Sequence, residues 1–247
     1  MKQKIIKSLY QGKLFNIFTI FIRFFSIFII LKDRFNIKVL STGENFKFHI
    51  SIKNDFKLNH PTLLWRIFGI YEPYTSLAIK EYVNKDDIVL ELGAAYGYFS
   101  IQLSRICKIL HSVEPNNLCL KYLKKNLEIN NCNNAKTYNE AIGDPNKEDI
   151  KLFDQTIIKP KKLETFLSQY KIEPTFIFID CDSEEYKEEL IVHEIVIMKM
   201  IIDFYKNKKI KIICETKHHQ ELRELLDKYN NFNYKQFAHR HYFICNF

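Results

Sequence analysis

From residue 86 to the C-terminus, short apolar runs alternate with stretches of helical spacing, and this constrains the fold more than any other feature of the chain. The runs 88–92, 110–113, 136–142, 175–179 and 210–214 have the length and β-branched content of strands. Between them, 97–106, 116–130, 163–170, 184–205 and 219–229 space their apolar residues as amphipathic helices do. Such an alternation builds a mostly parallel sheet covered on both faces. A short extra strand is expected at 149–153, and a closing antiparallel hairpin at 232–237 and 242–246. The whole predicts an α/β, Rossmann-like, seven-stranded sheet.

Three regions follow: a basic, hydrophobic, helical segment at 1–40, a lead-in strand and helix at 41–85, and the main domain at 86–247. With 47% hydrophobic residues the chain can bury a sizeable core, which excludes global disorder. The net charge of +8 favours anionic partners without choosing among them. The six cysteines are scattered and form no C-x-x-C pair. They read as reduced, mostly buried thiols of a cytoplasmic protein, neither a disulfide framework nor a zinc site.

Residues 14–31, LFNIFTIFIRFFSIFIIL, are almost wholly apolar. Lys32-Asp33-Arg34 follow in place of a small-residue cleavage site, which argues against a signal peptide. Arg23 at the centre argues against a span, at about 2.5–3.5 kcal/mol. Asn16, Thr19, Arg23 and Ser26 fall on one helical stripe. The expectation is a helix lying in a membrane interface, on its cytoplasmic face, with packing on the core or a dimer contact as the alternative. The oligomeric state is open.

In parallel sheets, ligands sit at the carboxyl ends of the strands. The first run ends Glu91-Leu92-Gly93-Ala94-Ala95-Tyr96-Gly97, a loop of small residues that lets a ligand approach the backbone. The second ends Glu114-Pro115-Asn116, with a carboxylate about 20 residues on, positioned for ribose hydroxyls. The third ends Glu140-Ala141-Ile142-Gly143-Asp144, the fourth Asp180-Cys181-Asp182-Ser183-Glu184-Glu185, and the fifth Glu215-Thr216-Lys217-His218-His219. One acidic residue after a strand is usually a helix cap. Acidic residues at successive strand ends point to a shared site. Gly93 and Gly97 are not spaced as G-x-G-x-x-G, and no G-x-x-x-x-G-K-[ST] occurs, which disfavours dinucleotide and P-loop sites.

Together with Tyr71-Glu72-Pro73 and Asn139-Glu140-Ala141-Ile142-Gly143-Asp144, these motifs resemble, in order and spacing, the FkbM family of class I S-adenosylmethionine-dependent methyltransferases over residues 71–247. Ala95 departs from the family's usual Asn, and Asp182-Ser183 from its Glu-Gly. The resemblance implies the class I methyltransferase fold, S-adenosyl-L-methionine as cofactor, and O-methylation of a sugar, glycolipid or secondary metabolite. It implies that Glu91, Gly93, Ala94, Ala95, Tyr96 and Gly97 line the methionine portion. Glu114, Pro115 and Asn116 would lie at the ribose, Glu140 and Ala141 at the adenine, and Asp180 beside the cofactor. Asp180, then Asp182, are the candidate bases for an acceptor hydroxyl. Tyr96 or Tyr98 would either face the cationic sulfonium or pack at the helix entry.

His239 and His241 alternate on a predicted strand and so share a face; core or surface pairing is the expectation, and no metal is predicted. A small-molecule or glycan acceptor is expected, and nucleic acid is disfavoured because no N-P-P-Y-like motif occurs. The competing readings are an NAD-dependent oxidoreductase on the same sheet and a membrane-associated, non-catalytic interaction module that keeps the fold.

Overall fold

The structure is a computed structural model that describes residues 34–49, 65–146, 149–152, 156–181, 193–229 and 231–246. The apolar segment 14–31, Asp182 and the first part of the helix expected at 184–205 lie outside the described residues.

In chain order the elements are β1 (Arg34–Lys38), β2 (Asn45–His49), α1 (Pro73–Tyr82), β3 (Ile88–Leu92), α2 (Tyr98–Ser104), β4 (Ile109–Val113), α3 (Asn117–Ile129), β5 (Ala135–Tyr138), β6 (Ile150–Lys151) and β7 (Ile157–Ile158). They continue with α4 (Leu163–Tyr170), β8 (Phe176–Ile179), α5 (His193–Tyr205), β9 (Ile210–Glu215), α6 (His219–Asp227), β10 (Asn233–Ala238) and β11 (His241–Asn246).

Seven strands form one sheet in the order β10-β11-β9-β8-β3-β4-β5. The five from β9 to β5 run parallel, and β11 and β10 close the sheet as an antiparallel hairpin. This is a Rossmann-like arrangement, a mostly parallel seven-stranded sheet with an antiparallel C-terminal hairpin. The strand order reverses at β3, between β4 and β8, and the crevice at such a reversal is where open α/β sheets bind ligands.

Side-chain alternation along the strands splits the core into two layers. Val89, Phe176 and Phe178 face α1, α2 and α3, whereas Leu90, Leu92, Ile177 and Ile179 face α4, α5 and α6. All four residues of β8 are buried, which is why Phe-Ile-Phe-Ile reads as a continuous apolar run.

The β1–β2 hairpin lies outside the large sheet and is held by two asparagines of and beside α3. The Asn126 amide accepts from the His49 N–H at 2.5 Å and donates to the His49 carbonyl at 3.0 Å. Asn130 does the same to Lys47, at 3.0 and 2.6 Å. These amides stand in for the missing strand partner of β2.

Four expectations change. Residues 34–38, expected within a helical segment, form β1, because Phe35 and Ile37 alternate with polar neighbours at the period of a strand. The third strand of the sheet stops at Tyr138. There the Asn139 amide bonds the Glu114 and Pro115 carbonyls, and Ile142 pairs with Lys161 instead. The extra strand shrinks to Ile150–Lys151, paired with β7. His239 lies in the turn between β10 and β11 and is exposed, while His241 starts β11 and is buried, so the two share no face.

Candidate active site

The loop from β3 to α2 crosses the strand-order reversal. The Gly93 and Ala94 N–H groups donate to the Val113 carbonyl, each at 3.1 Å, which folds the loop against the end of β4. Gly93 has φ +87°, and a Cβ there would stand 2.1 Å from the Asp180 carbonyl oxygen. Only glycine lets β3 and β8 close so tightly at their carboxyl ends. Ala95 follows at φ +46° and Gly97 at φ +87°.

The loop aims the Ala95 N–H at Glu114. One oxygen of that carboxylate accepts from Ala95 at 2.7 Å and the other from the Asn116 N–H at 2.8 Å. Glu114 is 6% exposed, and burial pushes its pKa up to about 7 against the pull of the two N–H groups. A carboxylate offers about four lone-pair sites, so Glu114 retains capacity for two donors. Asn116 is spent locally, capping α3 by accepting from Leu118 and Cys119. Pro115 is tied through its carbonyl to Asn139.

Glu91 is 1% exposed and accepts from Ser100 Oγ at 2.7 Å and Ser112 Oγ at 2.5 Å. Burial pushes it up to about 7 despite these bonds. It braces the loop from beneath, joining β3 to α2 and β4. Tyr96 is buried against Tyr122, with its carbonyl held by Asn126 at 2.8 Å. Tyr98 sits edge-on to Phe46, Phe48, Tyr71 and Phe99. Both rings therefore pack at the helix entry.

Glu140 lies beyond β5 and accepts from Lys161 Nζ at 2.7 Å and Tyr170 OH at 2.8 Å. Ala141 beside it is buried, and its carbonyl accepts from the Lys161 N–H at 2.8 Å. Asp180 directly follows β8, half-buried, with its N–H on the Leu92 carbonyl at 3.0 Å. The Asp180 charge reaches Arg66. Arg66 bonds Tyr71 OH at 3.1 Å and lies 4.3 Å from that ring's centre. Burial opposes the charge on Arg66, yet Tyr71, Glu72 and Asp180 push its pKa above the usual value.

A second group of side chains gathers at the same end of the sheet. Glu215 ends β9 and His241 opens β11 as its strand partner, with His241 Nε2 3.4 Å from Glu215 Oε2. Glu72 reaches them from the turn before α1, where it holds φ +37°. Burial and then Glu215 push Glu72 up to about 8, and burial pushes His241 down to about 4. Arg66 and Glu72 carried no role in the sequence analysis, and His241 entered it only as a partner of His239. Glu72 was visible only as part of Tyr-Glu-Pro, and nothing in the spacing joined it to His241.

No family model matches this chain. Over 171 residues it is 26% identical to an uncharacterized protein of Methanocaldococcus jannaschii, covering 55% of this chain and 61% of that protein. Over 102 residues it is 28% identical to the tRNA(Phe) (4-demethylwyosine(37)-C(7)) aminocarboxypropyltransferase of the same organism, covering 40% of each. The chain thus spans about three fifths and two fifths of the curated relatives it matches. Among solved structures, M. jannaschii TYW2 in complex with AdoMet aligns with a TM-score of 0.41 and 16% identity over 83% of this chain and 80% of that one.

Proposed function

We propose that this chain is an S-adenosylmethionine-dependent methyltransferase. The observation that carries the reading is the pairing of the Gly93–Gly97 loop with the buried Glu114 carboxylate beside the strand-order reversal. A nucleoside ribose needs a carboxylate at this place, and Glu114 has acceptor capacity left for two hydroxyls. Residues 93–97 would line the methionine portion, and Glu140 and Ala141 the adenine edge. Glu91 would act by holding the loop. The ordered FkbM motifs in 71–247 support the same assignment.

When bound, the cofactor supplies a methyl group on a cationic sulfonium. The chain's share is to hold an acceptor oxygen in line with that methyl, because orientation is what such a displacement chiefly needs. Asp180, directly after β8, would take the acceptor hydroxyl's proton, and its charge interacts with that of Arg66. Asp182 is the second candidate base. The resemblance favours a hydroxyl of a sugar, glycolipid or secondary metabolite as acceptor.

An RNA acceptor is the second reading, favoured by the tRNA-modifying relative and by the net charge of +8. It replaces the sequence-based expectation that nucleic acid is disfavoured, and an acceptor screen should carry tRNA beside glycans.

The test is calorimetric titration of the full chain with S-adenosylhomocysteine, with NAD as control. Binding of the homocysteine compound alone is expected, weakened at least about tenfold in Glu114→Ala by loss of its charged hydrogen bonds. NAD binding, or no binding by protein whose circular dichroism shows it folded, would sink the proposal.

A further inference from the structure

Glu72, Glu215 and His241 each present one donor atom, and these atoms all lie within 4.8 Å of one another. They come from three separate parts of the chain: the turn before α1, the end of β9 and the start of β11. His241 is 7% exposed, and neither of its ring nitrogens makes a hydrogen bond among the described residues. Glu72 Oε2 is also buried and makes none. A buried imidazole aimed at two carboxylates, with its hydrogen-bonding capacity unspent, is costly unless something else is bound there.

From this geometry we infer that Glu72, Glu215 and His241 form a site for a first-row divalent cation. Two carboxylate oxygens and one imidazole nitrogen suit Mn²⁺, Co²⁺ or Zn²⁺, whereas Mg²⁺ and Ca²⁺ favour all-oxygen sets. Donors about 2.0–2.2 Å from a common ion stand roughly 3–4 Å apart, so a closure of about an ångström completes the set. The divalent charge also offsets the repulsion between two adjacent, half-buried carboxylates. Of the neighbouring cations, Arg66 serves Glu72 from the Tyr71 side, and Arg240 repels charge on His241.

Three protein ligands leave a coordination position open. The site sits at the carboxyl end of the sheet, where Asp180 and the glycine loop also lie, so an ion there would hold an acceptor oxygen and lower its pKa. That role rests on the transferase reading; cation binding does not.

The test uses the full chain, stripped with a chelator and titrated with Co²⁺ alone, then with Mn²⁺ and Zn²⁺ in competition. The expected result is one equivalent per chain, with visible Co²⁺ absorption bands of an imidazole-carboxylate site, read on the unsubstituted protein. Affinity should fall at least about tenfold in Glu215→Gln and in His241→Gln. It should hold in His239→Gln, which removes an exposed histidine of the turn. Sub-stoichiometric binding, or His239→Gln losing the ion while His241→Gln keeps it, would overturn the inference. S-adenosylhomocysteine titration on the same samples separates the two claims. Cofactor binding without the cation defeats the metal site alone, and the reverse defeats the transferase reading alone.

Discussion

Ala95 holds a left-handed backbone position, φ +46°, that its N–H needs in order to reach Glu114. Asparagine tolerates that conformation better than alanine does, which gives a backbone reason for the asparagine usual in the resembled family. Glu91, which the resemblance implies beside the methionine portion of the cofactor, is buried and accepts from two serines. Its pKa rises from 4.5 to about 7 on folding, so the folded state holds the proton more tightly. Its contribution to stability is complete below about pH 4.5 and is lost as pH rises to about 7, by roughly 3 kcal/mol. Glu114, raised in the same direction, adds to the slope. Glu91→Gln should therefore flatten the fall in unfolding free energy between pH 5 and 7.5 and be the more stable protein at the upper end. Urea denaturation at the two pH values measures this; an unchanged slope would show that Glu91 is not the buried proton carrier.

The β1–β2 hairpin packs Phe46 and Phe48 on Tyr98, and its backbone is tied to α3 by asparagine side chains. Asn126 is fully buried and serves His49 N–H, the His49 carbonyl and the Tyr96 carbonyl. Through Tyr96 it ties the hairpin to the glycine loop. Asn126→Ala leaves those groups buried and unsatisfied, at about 2–4 kcal/mol. Hydrogen exchange should show faster exchange at His49, with β3 and β8 protected as before. Equal acceleration in the central strands would mean that the hairpin and sheet unfold as one unit. Apart from β7, the existence and order of the described strands and helices from β3 onward were legible in the sequence, because strand and helix periods differ. The boundary at Tyr138 was not. It is set by Asn139 reaching the carbonyls after β4, a contact that local pattern does not encode.

At the scale of the whole molecule, Asp87 gathers the amino-terminal end of the sheet. It accepts from the Asn84 N–H at 2.7 Å, Thr175 Oγ1 at 2.9 Å and Lys211 Nζ at 2.5 Å, linking the starts of β3, β8 and β9. The ion pair is nearly buried, with side-chain exposures of 15% and 8%. Lys211→Met should cost about 3–5 kcal/mol by leaving Asp87 buried without its counter-charge. Calorimetry should then show a Tm lower by on the order of 10 °C; a shift within a degree or two would show the pair to be dispensable. The carboxyl end collects the acidic groups Glu114, Asp180 and Glu215 at successive strand ends. The sequence by itself determined the alternating α/β architecture, the glycine loop and the acidic strand ends, since each is written in local period and spacing. Only the tertiary structure decided that Glu91 bonds Ser100 and Ser112, that Arg66 packs on Tyr71, and that Glu72, Glu215 and His241 meet. The residues of the last meeting lie far apart along the chain, and sheet order and burial, not local pattern, bring them within reach.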